Sequence, residues 1–239
     1  MITNKNLRTH CPVGMNSIKE IYSTLLSAYG TQEWWPTTTK EKETEIAIGA
    51  ILTQNTAWKN VEKAIKNLAD KGLIDIKKLH RIKEEELAKL IKPSGYYNQK
   101  AKKLKWLARH IAQNYGGEIK LLLSKNTEKL RKELLEMHGI GQETADSIIL
   151  YAAKKPAFVI DTYTKRIFSR TGTLKESASY DEIQKLFTKS LPKDQQLFSQ
   201  YHALIVQHGK NNCKKTPQCE NCPINKACRY YAYATNNNI

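Results

Sequence analysis

Residues 134–148 read Leu-Leu-Glu-Met-His-Gly-Ile-Gly-Gln-Glu-Thr-Ala-Asp-Ser-Ile. Leu134 and Met137 close one helix, Gly139-Ile140-Gly141 makes a tight turn, and a second helix starts at once with Ala145 and Ile148 facing the first. The glycines admit backbone geometry that a side chain would block. The amides at the start of the second helix, aided by the helix dipole, suit a phosphate oxygen. The same pattern also fits an ordinary helical hairpin. The charge of the chain decides between the two: 39 Lys and Arg against 23 Asp and Glu give a formal net charge of +16 over 239 residues. An excess this large favours nucleic acid as the partner. His138, in the turn, suits either a contact with a phosphate backbone or packing.

Outward from the hairpin the chain reads as helix nearly throughout. Apolar residues recur at helical spacing over 43–69, with a break at Gln54-Asn55-Thr56 that marks a helix end, a short turn and a new helix. Asn98 to Tyr115 is a helix that Asn98 caps and Gly116-Gly117 stops. Thr127 to Met137 carries Leu130, Leu134 and Leu135 inward, and Gln142 to Ala153 follows. Further helices are expected over 162–170, 181–188 and 195–209. One short extended segment, Ala157-Phe158-Val159-Ile160, follows Pro156. The expected fold class is therefore all-α.

Composition narrows the partners. With 40% hydrophobic and 26% charged residues the chain is globular, not disordered. No apolar run approaches the roughly 18 residues of a membrane span, and the N-terminal MITNKNLRTHCPVGMN lacks the apolar stretch of a signal peptide. A cytoplasmic protein with no membrane partner is expected.

Two features carry chemistry. Asp161 follows the apolar run Val159-Ile160 and precedes a helix, the place of an N-cap or of a catalytic carboxylate. Cys213, Cys219, Cys222 and Cys228 are spaced C-x5-C-x2-C-x5-C, with Cys11 left over as a bystander thiol. Four thiolates so close repel one another unless a metal neutralises them. A structural zinc and a four-iron cluster both suit them.

Together these pieces resemble the endonuclease III-like, helix-hairpin-helix (HhH-GPD) DNA glycosylases over about residues 20–230. Leu52-Thr53-Gln54-Asn55-Thr56 looks like the family's Gln-bearing turn, which probes the DNA opposite a flipped base. Gly95-Tyr96-Tyr97-Asn98-Gln99-Lys100-Ala101 is similar to the segment whose second residue wedges into the duplex. Residues 134–148 match the hairpin, and Asp161 falls at the catalytic aspartate. The terminal cysteines resemble the family's cluster loop, which moves the expected metal from zinc to a [4Fe–4S] cluster. The gap of five between the first two is one short of the commoner spacing.

Departures from the family pattern point to a branch. Bifunctional members carry, at the position of Glu143, a Lys that attacks the sugar; a carboxylate cannot form a Schiff base. The adenine-removing branch needs a Glu where this chain has Gly49, and the mismatch-thymine branch usually has Tyr at 143. Gly-x-Gly-x-Glu-x-Ala-Asp, Gln54-Asn55-Thr56 before Trp58, and Trp34-Trp35-Pro36 look similar to the type III 3-methyladenine DNA glycosylases.

The resemblance implies a monofunctional glycosylase of base excision repair that hydrolyses the N-glycosidic bond of alkylated purines, with no lyase activity. Asp161 and Glu143 are its expected catalytic residues, Trp34, Trp35 and Trp58 its base pocket. Gln54, Asn55, Tyr96, Tyr97, His138, Gly139, Ile140, Gly141, Lys214 and Lys215 are expected on the DNA. Lys100, Lys102, Lys103, Lys165 and Lys210 are further candidates for phosphate contacts. The implied architecture has a six-helix barrel lobe over 36–150, with the helix-hairpin-helix at 127–153. A terminal lobe of 1–35 and 151–239 carries the cluster loop 213–228. The partner is damaged double-stranded DNA, and the protein is a nucleoid-associated monomer. The alternatives are a bifunctional glycosylase/AP lyase for oxidised pyrimidines and a non-catalytic, metal-stapled DNA-binding module.

Overall fold

The computed structural model describes residues 18–236, the last of them by its backbone alone. Cys11 lies outside the described residues. The described chain forms thirteen α-helices, a π-helical segment at Ile148–Ala152, and no β-strand. Ala157 to Ile160 is buried but irregular, so the expected extended segment forms no strand. No helix among the described residues is long and apolar enough to cross a membrane.

The chain divides into two units, Trp35–Ala157 and the pair Met1–Trp34 with Phe158–Ile239. The division after Ala157, rather than after Leu150, has a local cause. The π-helical segment 148–152 packs on the helix Lys42–Leu52 and so stays with the central unit.

The central unit is built around that helix, α2 in chain order after α1 (Ile18–Tyr29). Every residue of α2 from Thr44 to Leu52 is buried, the mark of a helix enclosed on all sides. Against it pack α3 (Trp58–Asp70), α6 (Tyr97–Tyr115), α7 (Ile119–Leu123) and α9 (Gln142–Ser147); α4 (Ile76–Arg81) and α5 (Glu84–Leu90) pack on α6, and α8 (Thr127–Glu136) packs on α9. The expected Asn98 cap is corrected: α6 starts at Tyr97, and its N-cap is Tyr96 in the left-handed region at φ +46. Gly116 (φ +59) ends α6 as expected. Leu130 and Leu134 of α8 are buried, while Leu135 is only half-buried. Arg131 of α8 grips the fully buried Asp146 of α9 in a two-pronged pair, Nε–Oδ1 2.8 Å and Nη2–Oδ2 3.2 Å, which fixes the two arms of the hairpin.

The other unit holds α1, α10 (Thr162–Thr171), α11 (Tyr180–Ser190), α12 (Gln195–Asn211) and α13 (Arg229–Asn236). Its core is aromatic. Phe158 stacks on Phe187 at 4.3 Å, Phe168 meets Phe187 edge-on at 4.8 Å, and Tyr201 donates its hydroxyl to the Ile18 carbonyl at 2.7 Å. Each such ring pair adds about 0.5–1.5 kcal/mol beyond burial of its area.

Candidate active site and DNA-binding turns

Three turns of the central unit are tied together by side chains. Gln54, in the turn after α2, donates Nε2 to the Gly139 carbonyl at 3.1 Å and to Thr144 Oγ1 at 2.9 Å, and accepts from Lys103 Nζ at 2.5 Å. The turn expected to probe DNA is thus fastened to the hairpin. Lys100 fastens it to the turn before α6: Nζ donates to Leu52 O, Thr56 Oγ1 and Ser94 O, each at 2.7 Å. Lys100 is only 2% exposed, and burial, then the charge of Lys103, lowers its pKa to about 8. That corrects its placement among the phosphate contacts.

The tips of these turns face outward. Asn55 is exposed at φ +52, and Tyr96 is 67% exposed at φ +46. Non-glycine residues with positive φ are uncommon and tend to mark functional turns. Tyr97 is half-buried at the start of α6. In the hairpin His138 is exposed, its ring 6.0 Å from that of Trp106. The two glycines differ. Gly139 has φ +80, and a Cβ there would lie 2.3 Å from Lys103 Cγ, whereas Gly141 is exposed with open space where a Cβ would go. Ile140 is 5% exposed; its side chain belongs to the core, which leaves its backbone for the DNA contact expected of this turn. Glu143 is exposed in the first turn of α9.

Trp35 and Trp58 come together, edge to face, at 5.1 Å and 88°. Trp35 also meets Tyr151 at 5.4 Å, and lies over Gly49, where a Cβ would sit 3.0 Å from its Cζ2. The two tryptophans wall a pocket of about 470 Å³ with Pro36, Glu45, Glu62 and Ile65. Trp58 Nε1 donates to Glu62 Oε1 at 2.9 Å. Glu45, 3% exposed, accepts from the amides and hydroxyls of Thr38 and Thr39 at 2.7–3.1 Å and orders the loop that follows Trp35. The sequence reading missed Glu45, although an acidic residue one step before the apolar Ile46–Leu52 run, on the same helix, was a signal. Trp34 belongs to the other unit, where Lys210 Nζ lies 5.9 Å from its ring centre.

Asp161 is buried at the N-cap of α10. Its Oδ1 accepts from Thr164 N at 2.7 Å and Thr164 Oγ1 at 2.8 Å, and His202 Nε2 of α12 lies 3.5 Å from Oδ2. Burial pushes its carboxyl up, but His202 and the two Thr164 donors outweigh burial and leave it below the usual carboxylate range. His202 was missed because nothing in its sequence neighbourhood distinguishes it from a packed helix residue.

The four cysteines line one cavity with Ile167, Arg170 and His208. Arg170 Nη1 donates to Cys213 Sγ at 3.3 Å, and its guanidinium also holds the carbonyls of the exposed Lys214 and Lys215 at 2.6 and 2.9 Å. Arg166 ties α10 to the same loop, donating to Cys213 O at 2.8 Å and Gly209 O at 3.1 Å. Burial pushes Cys222 up to about 11 and raises Cys219 and Cys228, and neighbouring thiols add to each rise. Among the described residues no three His, Cys, Asp or Glu are grouped to hold a single metal ion.

Residues 48–193 match the HhH-GPD superfamily of base excision DNA repair proteins. The chain is 50% identical, over 88% of its length and 95% of the relative's, to a protein of Methanocaldococcus jannaschii assigned as a DNA repair glycosylase. Among solved structures it is similar to the 3-methyladenine DNA glycosylase MagIII of H. pylori bound to 1,N6-ethenoadenine, at 31% identity and TM-score 0.70, covering 80% of this chain and 96% of that one. It is also similar to endonuclease III trapped as a covalent intermediate with DNA, at 25% identity and TM-score 0.80, covering 91% and 97%. A match to the family over most of the chain, a relative at half identity and helices in the family's arrangement agree: the chain belongs to the HhH-GPD superfamily and is a DNA repair glycosylase that acts on DNA.

Proposed function

We propose that the protein is a monofunctional glycosylase that removes alkylated purines of the 3-methyladenine type from damaged duplex DNA. The observation that carries this reading is Trp35 lying on Gly49 and against Trp58. A flipped base must be held by stacking, and an N-methylated purine is cationic, so aromatic faces attract it. Trp35 and Trp58 are assigned to its pocket. Trp35 also fills the space into which a glutamate at position 49 would extend, which weighs against the adenine-removing chemistry. The resemblance to MagIII, with its bound ethenoadenine, supports the assignment.

The alkylated base leaves readily because it already carries positive charge, so no strong acid is needed. Asp161 supplies a buried negative charge facing the oxocarbenium-like sugar and orients the attacking water. Its lowered pKa makes it a weak base, so charge stabilisation is its larger contribution. Glu143, at the hairpin, helps to place the water. Gln54, Asn55, Tyr96, Tyr97, His138, the backbone of Gly139–Gly141, Lys214 and Lys215 form the DNA contacts, working on chromosomal DNA in the cytoplasm as a monomer.

A Schiff base needs an accessible lysine of lowered pKa. Among the described residues the lysines whose pKa is lowered, Lys100, Lys105 and Lys155, each have Nζ bound to two or more backbone carbonyls. The absence of lyase activity is part of the proposal and rests on Glu143, whose carboxylate cannot form a Schiff base.

A [4Fe–4S] cluster is part of the proposal. Four cysteines line one cavity, and their spacing resembles the family's cluster loop, which favours a cluster over one tetrahedral zinc. Cys213, Cys219, Cys222 and Cys228 would hold it. A bound cluster would neutralise the thiolates, while Arg170 holds the carbonyls of Lys214 and Lys215 on the same loop.

The test is chromatography of bases released from methylated duplex DNA, with gels run before and after alkali, for wild type and Asp161→Asn. Free 3-methyladenine from wild type only, with strands intact until alkali, is expected. Strand cleavage at the rate of base release, a borohydride-trapped protein–DNA adduct, or activity on thymine glycol alone would overturn the proposal in favour of the bifunctional enzyme.

A further inference from the structure

This inference rests on the assignment of Asp161 as the catalytic carboxylate. Capping a helix needs one oxygen of an aspartate. Asp75 caps α4 and Asp194 caps α12 through a single amide each, from half-buried and exposed positions. Asp161 differs from both. It is 9% exposed, and with Oδ1 already committed twice to Thr164 its Oδ2 still faces a second side chain, His202 Nε2 at 3.5 Å. His202 is itself only 6% exposed. A cap alone does not account for a buried imidazole on the free oxygen.

The register of α12 fixes that imidazole from both sides. The neighbouring Tyr201 hydroxyl is bound to the Ile18 carbonyl at 2.7 Å. Two turns on, Gly209 admits the ring of Tyr163, which would lie 2.2 Å from a Cβ at that position. Tyr163 stands two residues after Asp161 on α10, so the contact that seats α10 on α12 also sets the distance between Asp161 and His202.

We propose that His202 is a positioning residue for Asp161, its Nε2–H directed at Oδ2 so that the carboxylate is held by both oxygens and offers one remaining lone pair of Oδ2 in a fixed direction to the reacting sugar or its water. Contacts of this kind are often long without substrate and shorten when it binds. Misplacing a reacting group by about 1 Å costs on the order of 100-fold in rate, so a second anchor is worth having. The same contact helps keep the buried carboxyl ionised.

The experiment compares wild type, Asp161→Asn, His202→Gln, which keeps a donor, and His202→Met, which fills the space without one. Single-turnover release of 3-methyladenine and affinity for duplex DNA bearing an abasic analogue are measured for each. His202→Met is expected to release base at least 10-fold more slowly with affinity within about 3-fold of wild type, and His202→Gln to recover most of the rate. Equal rates for His202→Met and wild type, or equal losses for Met and Gln, would overturn the proposal. No release by wild type, by contrast, would sink the reading of Asp161 and the alkylpurine function on which it rests. Nitrogen NMR of the wild-type holoprotein gives a test independent of whether the variants fold. His202 must carry its proton on Nε2, and a spectrum with the proton on Nδ1 alone would refute the inference.

Discussion

Lys100→Met is the sharpest perturbation of the three-turn arrangement. Methionine keeps most of the side chain's volume and removes its charge and all three donated hydrogen bonds, to Leu52 O, Thr56 Oγ1 and Ser94 O. Hydrogen bonds from a charged donor contribute about 1.5–3 kcal/mol each, but the sum overstates the loss. The ammonium is paid for in desolvation, as its pKa of about 8 records, and Ser94 O keeps the Thr56 hydroxyl as a donor. The net loss is about 2–4 kcal/mol, mainly from Leu52 O left without its ammonium. For a chain of this size that is a fall in Tm of about 4 to 16 °C. The pH dependence changes too. Between about 8 and 10.5 the unfolded wild type holds the Lys100 proton that the folded protein releases, so wild-type stability gains with rising pH and the variant lacks that gain. DNA affinity falls because the turns carrying Asn55 and Tyr96 loosen. The slope of log affinity against log salt stays as in wild type, whereas a lost phosphate contact would reduce it by about 0.9. Thermal melts with binding titrations at several salt concentrations check this. A variant that melts within about 1 °C of wild type, or one whose salt slope falls by a full contact, would refute the fastening role.

The hairpin glycines should separate. Gly139→Ala meets Lys103 and a positive φ and should lower Tm, while Gly141→Ala has open space and should leave Tm unchanged yet weaken duplex binding, read by melting and fluorescence anisotropy. Asp146→Asn leaves Arg131 without its buried partner and should cost about 3 kcal/mol in denaturant unfolding, with looser hairpin binding to DNA. Glu133 is held at about 2: burial raises it, but bonds from Lys125, Tyr115 and His110 win. Its stabilisation is complete above the unfolded value of 4.5 and is lost as pH falls from there towards 2. Glu133→Gln should flatten that part of an acid-denaturation profile, and an unchanged profile would count against the network.

Much of this protein was legible in one dimension. Helical periodicity and its stops are local properties, so the helices around the break at Gln54-Asn55-Thr56, the two arms of the hairpin and the Gly116 stop follow from residues within a turn or two of each other. The family likewise followed from short motifs in order, because the glycine turn, the Gln-bearing turn and the aspartate are contiguous signatures. Net charge, which needs no fold at all, pointed to nucleic acid.

What only the tertiary structure decided concerns residues whose meaning depends on a partner distant in sequence. Lys100 reads as one more basic residue on a basic helix, and becomes a buried fastener only because α6 passes the end of α2. Ile140 looks like part of a backbone-binding turn, yet its side chain points into the core. His202 and Asp161 are brought within 3.5 Å by the packing of α10 on α12 through Gly209. The physical reason is the same each time. Secondary structure is set by short-range sterics and hydrogen bonding, whereas the environment of a side chain is set by which helices pack against it.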